Sequence, residues 1–301
     1  MSGQALNADD IVAPFSLDRA PVRGRIARAG ATIDAILRRH DYPWPAAMLL
    51  GEALTLAALV GSLLKVEGRL AVQAQGQGLV PLLVAEHTGG GLRGYARLSD
   101  GAQAKLTNAA RLAPAELLGS GTLVLTLDQG ADAAPYQGVV PLDGDTLAAC
   151  AENYFRVSEQ TDTGIHLAVG EVMSRDAPPL WRAGGILVQR IAGDATRGDT
   201  SEDWSRASIL FGTLTDEELI DPDLSGDRLL YRLFHEEGVR MGDASALADR
   251  CTCDQARLTN VMRQFPPDEL RDLVEPDGLL HARCQFCART YEIDPASVGA
   301  G

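Results

Sequence analysis

Two short runs near one end constrain this chain more than anything else in it. They are Cys251-Thr-Cys253 and, after thirty intervening residues, Cys284-Gln-Phe-Cys287. The 301 residues hold only five cysteines, so four of them fall in that one stretch. Two pairs of near neighbours, each on a turn, can bring four thiolates to one point without distorting either backbone. A tetrahedral Zn2+ takes such a set, with sulfur at about 2.3 Å. Ordinary buried thiols are the plain alternative, but they have no reason to come in two close pairs. Cys251, Cys253, Cys284 and Cys287 are therefore expected to hold one zinc ion. Cys150 is different: in "LAACAENYF" it lies among small apolar residues on an expected helix, and it reads as a core thiol.

A metal site of thiolates needs a reducing compartment. The start, "MSGQALNADDIVAPFSL", lacks a basic stretch followed by an apolar run, so no secretory signal is expected. The most apolar segment, Ala46 to Leu64, is long enough to span a bilayer. Glu52 lies inside it, however, and no aromatic belt flanks it, so it reads as a buried helix of a soluble core. A composition of 46% hydrophobic and 23% charged residues agrees with a soluble globular protein. The expected location is cytoplasmic, where structural disulfides are rare.

Charge narrows the partners. The formal net charge is −14, and Lys65 and Lys105 are the only lysines. A chain this acidic repels phosphate backbones unless a local basic patch overrides the total, and none is evident. The cysteine region repeats the pattern, with five arginines against eight carboxylates between Cys251 and Asp294. No nucleic-acid partner and no membrane partner are expected.

The length suggests two or three domains. Residues 1–195 read as an α+β core. "IVAPFSL" is strand-like, and "GATIDAILRRH" is helical and stops before Pro43 and Pro45. The apolar helix follows, and then short alternating runs bounded by glycine: "RLAVQAQG", "LVPLLVAEH", "LRGYARLS" and "GTLVLTLD". Such runs predict an antiparallel sheet with tight turns. "GDTLAACAENYFRVSEQ" returns to helical spacing, and "GIHLAVGEVM" is again a strand.

Residues 196–250 are charged and helical, a packed linker rather than a domain. Within them Thr215 and Glu218 make a capping box, and Leu230, Leu233 and Phe234 share one helical face. Residues 251–301 form a small C-terminal zinc-binding domain. There Leu258, Val261, Met262 and Phe265 predict an amphipathic helix, and "PPDELRDLVEPDG" predicts a second. "LLHARC" and "ARTYEI" read as hairpin arms with the Cys284–Cys287 knuckle at the tip.

Three other motifs fail. "GGGLRG", Gly89 to Gly94, matches a dinucleotide fingerprint by letters only, because the strand-like "YARLSD" follows where a helix is needed. "DPDLSGD" starts like a calcium loop at Asp221, Asp223, Ser225 and Gly226, but its twelfth position is Arg232 instead of a glutamate. The histidines, His40, His87, His166, His235 and His281, are scattered, and no serine lies in a nucleophile elbow. No catalytic constellation emerges, so the chain does not read as an enzyme.

The cysteine region has few large apolar groups, and a core that small is marginal without help. Thiolate-bound zinc supplies roughly 10–16 kcal/mol of apparent folding free energy at neutral pH. The metal would decide whether this segment is folded, and oxidising the thiolates would remove its support.

The chain resembles the bacterial thirty-three-kilodalton redox-regulated heat-shock chaperone family over nearly its whole length. Beyond the cysteine pairs, the likeness rests on Tyr42-Pro43, on "LLGEAL" with Gly51-Glu52, and on "KVEGRLAVQAQGQG" from Lys65 to Gly78. "YQGVVPL" from Tyr136, "NYFRVSEQTDT" with Tyr154, Phe155 and Ser158-Glu159-Gln160, and Trp204 with "EELI" complete it. The chain departs from the family at Asp254-Gln255-Ala256-Arg257 and in the connector before Trp204.

The resemblance implies an ATP-independent holdase that captures unfolding client proteins under oxidative stress. In such proteins the reduced, zinc-bound form is dormant. Oxidation pairs the neighbouring cysteines, here Cys251 with Cys253 and Cys284 with Cys287. Zinc leaves, the linker unfolds and a homodimer forms. The alternative reading is a constitutive zinc-stabilised adaptor that binds a protein partner and never switches.

Overall fold

The structure, a computed structural model, describes residues 9–64, 68–109, 112–129, 134–174, 177–193 and 198–299. Lys65 to Glu67 of the family-like segment, and the first eight residues, lie outside the described residues. The chain forms two compact units, Met1–Asp249 and Arg250–Gly301.

The first unit begins with a hairpin, β1 (Ile11–Leu17) and β2 (Val22–Ala29), then α1 (Ala31–Leu37) and α2 (Trp44–Gly61). A short 3-10 turn and Asp41, at a left-handed φ of 50°, end the α1 region before the prolines are reached. Pro43 caps α2 and Pro45 sits in its first turn, where a missing N–H leaves no helical bond unmade. Next come β3 (Arg69–Gly76), β4 (Leu82–Thr88), β5 (Gly91–Arg97), α3 (Ala102–Leu106), α4 (Pro114–Leu118), β6 (Gly121–Asp128) and β7 (Tyr136–Pro141). The rest is α5 (Leu147–Ser158), β8 (Thr163–Ser174), β9 (Ala177–Arg190), α6 (Ser201–Phe211), α7 (Asp216–Ile220) and α8 (Gly226–Phe234). Three short strands close it: β10 (Val239–Met241), β11 (Ser245–Ala246) and β12 (Ala248–Asp249).

These strands make two sheets. One runs β10-β1-β2-β9-β8, with β11 also on β1; the other runs β12-β5-β4-β3-β6-β7. All pairs are antiparallel except β12 with β5. Helix α2 lies between the sheets, against β3, β4 and β5 on one side and β2, β8 and β9 on the other. Every residue from Pro45 to Gly61 is buried, which explains why the helix is apolar all round. Glycines make the close approach possible. A Cβ on Gly51 would lie 2.7 Å from Val169, and one on Gly185 would lie 2.8 Å from Thr55. Gly89 and Gly90 both take positive φ in the β4–β5 turn, so the glycine run is the hairpin turn expected of it.

The outer face of the first sheet carries a second core. Phe15, Ile26, Ile186 and Val188 are covered by Ala207 of α6, Leu219 of α7 and Leu229, Leu230, Leu233 and Phe234 of α8. Thr215 accepts the Glu218 N–H while a Glu218 carboxylate oxygen accepts the Thr215 N–H, so the expected capping box is formed. The charged helical segment also supplies β10, β11 and β12, which attach it to both sheets of this unit.

The second unit has α9 (Gln255–Met262), α10 (Pro267–Asp272) and the hairpin β13 (Leu280–Arg283) with β14 (Thr290–Ile293). Its core is four buried residues, Leu270, Leu280, Ile293 and Val298, with Leu258 and Met262 packed at the edge. The expected apolar stripe is only half used. Helix α9 ends at Met262, so Phe265 falls beyond it, and Val261 and Phe265 remain 51% and 50% exposed.

Candidate metal centre

Each cysteine pair is held by a local device. Asp254 follows Cys253 directly and caps α9, its carboxylate accepting the Arg257 N–H at 2.7 Å. The cap fixes where the helix begins and so fixes the extended Cys251–Cys253 run before it. Cys284 follows β13 directly. Its N–H donates to the Arg289 carbonyl, its carbonyl accepts from the Ala288 N–H, and Ala288 takes a left-handed φ of 57°. That turn folds Cys287 back toward Cys284.

The four sulfurs lie within 4.8 Å of one another. Cys251 Sγ is 3.8 Å from Cys284 Sγ, and Cys253 Sγ is 3.3 Å from Cys287 Sγ. A tetrahedron with metal–sulfur bonds near 2.3 Å has edges of about 3.8 Å. A disulfide would bring two sulfurs to about 2.05 Å. The set is therefore four thiols, none of them in a disulfide, at the spacing of a metal's donor shell. Cys284 is buried and the other three are half-buried. Cys150 is buried in the core of the first unit, as expected.

One neighbour was not legible as part of the site. The Tyr291 hydroxyl lies 3.2 Å from Cys253 Sγ and also donates to the Cys253 carbonyl. Its place on β14, next to the knuckle, is the only signal the sequence offers, and "ARTYEI" reads there simply as a hairpin arm. Burial opposes ionisation at Cys253, but hydrogen bonds from Tyr291 and the other three thiols outweigh it and lower its pKa to about 7. Burial and the same thiol neighbours push Cys287 up to about 12 against the pull of the Arg289 N–H. Protons are thus shared unequally among four sulfurs too close to carry four charges without a cation between them. His281 takes no part, since its Nε2 is paired with Asp277 at 2.8 Å.

Thiolates so arranged can hold a soft divalent ion and can be oxidised in pairs. Among the described residues no other group of three or more cysteine, histidine or acidic side chains converges in this way. The calcium-like Asp221–Gly226 stretch instead spends its Asp221 carboxylate on the Asp223 N–H.

Comparison with known proteins agrees with this organisation. The family model described as Hsp33 protein matches residues 10–294. A 33 kDa chaperonin of Caulobacter vibrioides is 50% identical over 289 residues, covering 95% of each chain. One of Neisseria gonorrhoeae is 35% identical over 305 residues, covering 100% of this chain and 94% of that one. The crystal structure of a 33 kDa chaperonin from Thermotoga maritima superposes with a TM-score of 0.77 over 96% of this chain and 97% of that one, at 23% identity. These relatives are named as chaperones, not enzymes. The α+β architecture is therefore not peculiar to this sequence; the chain belongs to the Hsp33 protein family.

Proposed function

We propose that this chain is a cytoplasmic, ATP-independent holdase whose activity is gated by oxidation of Cys251, Cys253, Cys284 and Cys287. The observation that carries the reading is the conjunction of four clustered thiols with a unit whose own core is four buried residues. In the reduced state the four thiolates hold one Zn2+, which ties the Cys251–Cys253 run to the hairpin. Oxidation joins Cys251 to Cys253 and Cys284 to Cys287. As each disulfide forms, its two thiolates give up two electrons, and one hydrogen peroxide takes these up with two protons from solvent to become two waters. The disulfides leave no thiolate to hold a cation, and the terminal unit loses its support.

The segment 196–250 is the linker in this reading. Its helices cover the outer face of the first sheet, so unfolding it uncovers Phe15, Ile26, Ile186 and Val188 together with its own Leu229, Leu230, Leu233 and Phe234. Apolar surface of that kind captures unfolding clients. A second copy of the chain joins on activation.

The test is light scattering from a heat-unfolded test protein, with zinc release followed by a chromogenic chelator. Weak suppression by the reduced protein and strong suppression after peroxide with mild heat is the expected result. Equal suppression by both forms would remove the switch. Zinc release with loss of partner binding, and no gain in suppression, would favour a constitutive adaptor.

Tyr291→Phe tests the supporting hydroxyl. Loss of such a partner to a ligand costs roughly 10–100-fold in metal affinity. Competition with a chelator of known affinity should show that loss with the fold unchanged; an unaltered affinity would make Tyr291 a bystander.

A further inference from the structure

Helix α2 stops at Gly61, and past its last turn a cavity of about 470 Å³ lies between the two sheets. Its apolar wall comes from Leu63, Leu70, Leu125, Leu127 and Phe155. The first sheet contributes three polar side chains to its lining. Arg23 and Arg25 stand at alternate positions of β2, hence on one face, and Gln189 of β9 pairs with Arg23 across the ladder. All three line the cavity.

These three polar groups keep unused hydrogen-bonding capacity, although Gln189 Nε2 donates to Thr163 Oγ1 at 3.4 Å. Among the described residues neither guanidinium has a carboxylate partner; Arg25 donates only to the Gly24 carbonyl at 3.0 Å. Burial and then the neighbouring Arg23 charge pull Arg25 below the usual arginine range. Gln189 is 3% exposed, and among the described residues its Oε1 has no hydrogen-bond partner. A buried acceptor left without a donor marks a wall that expects water or a polar ligand atom. The one facing carboxylate, Glu159, accepts the Tyr154 hydroxyl at 2.9 Å and leaves two positive charges against one negative.

We propose that this cavity binds an amphiphilic carboxylate, an aliphatic acid whose chain lies on the leucines and whose head meets Arg23 and Arg25. The volume falls within the roughly 300–1,000 Å³ of small-molecule sites, and an apolar wall with a few convergent polar groups is their usual make-up. Guanidinium forks match a carboxylate in shape as well as charge. A bare inorganic anion would leave the leucine wall unused, and an alcohol would leave the arginines unused.

Titration calorimetry on the full-length, reduced, zinc-loaded protein tests this, with decanoate as probe and decanol and acetate as controls. One saturable decanoate site per chain is expected, with decanol at least about tenfold weaker and acetate silent. The double variant Arg23→Gln/Arg25→Gln should weaken decanoate about tenfold or more and leave decanol unchanged. No saturable decanoate binding, equal binding of decanol, or several sites indifferent to the double variant would overturn the proposal. If the double variant melts early, Leu63→Trp on the half-buried turn after α2 tests the same place by filling it. Decanoate binding is lost if the site is this cavity and persists if it is not.

Discussion

Stripping the metal from the reduced protein is expected to unfold residues 250–299 and to leave the first unit folded. Among its described residues the terminal unit has a core of four buried side chains, Leu270, Leu280, Ile293 and Val298, and its two α-helices span Gln255–Met262 and Pro267–Asp272. A core of that size is marginal without help in a unit of about fifty residues. A thiolate-bound zinc contributes roughly 10–16 kcal/mol, the largest single term available to this unit. Hydrogen exchange reads the outcome. Amides in the ladder between Leu280–Arg283 and Thr290–Ile293 should be protected with metal and exchange freely without it. Amides of β3 and β4 should not change. Persistent protection of the terminal ladder in chelator would show that this unit folds by packing alone.

The second large effect belongs to the other unit. Leu54→Ala should destabilise it by about 2–5 kcal/mol, because Leu54 is fully buried where α2 passes under Gly94 of β5. The helix touches both sheets, so neither can move in to fill the space without giving up its packing on the other side. For a unit of this size that loss lowers the melting temperature by about 4–20 °C. Zinc content should stay at the wild-type level, since Leu54 and the cysteines belong to different units. A melting temperature within a degree of wild type would mean that α2 is not the centre of this core.

Much of this was legible in the sequence. The apolar helix, the alternating runs of β1, β3, β4, β5, β6 and β8, the capping box and the cysteine hairpin all follow local pattern, and each is present. What escaped notice is informative. Strand β9 opens "APPLWRAGG", with two prolines and two glycines, residue types that locally favour turns over strands. Gly184 and Gly185 are there because a Cβ would strike the Leu219 carbonyl and Thr55, a demand visible only in three dimensions. Strand β2 carries Arg23, Arg25 and Arg28 in eight residues, so its alternation is hidden by charge. Strands β10 to β12 are two or three residues long and exist only because β1 and β5 offer edges to pair with.

At the site, spacing was enough to single out the four cysteines because two close pairs leave few other uses for a thiol. Tyr291 could not be found that way. Its role rests on a 3.2 Å approach to Cys253 across the hairpin, and no local pattern announces a contact thirty-eight residues apart in sequence.

Everything proposed for the terminal unit depends on four sulfurs gripping a single cation in the unoxidised molecule. X-ray absorption at the zinc edge, combined with elemental analysis of protein purified under reducing conditions, examines that grip directly. One zinc per chain with four sulfur neighbours at about 2.3 Å is the predicted result. Metal-free protein with a fully protected terminal ladder would contradict it, as would zinc ringed by oxygen and nitrogen.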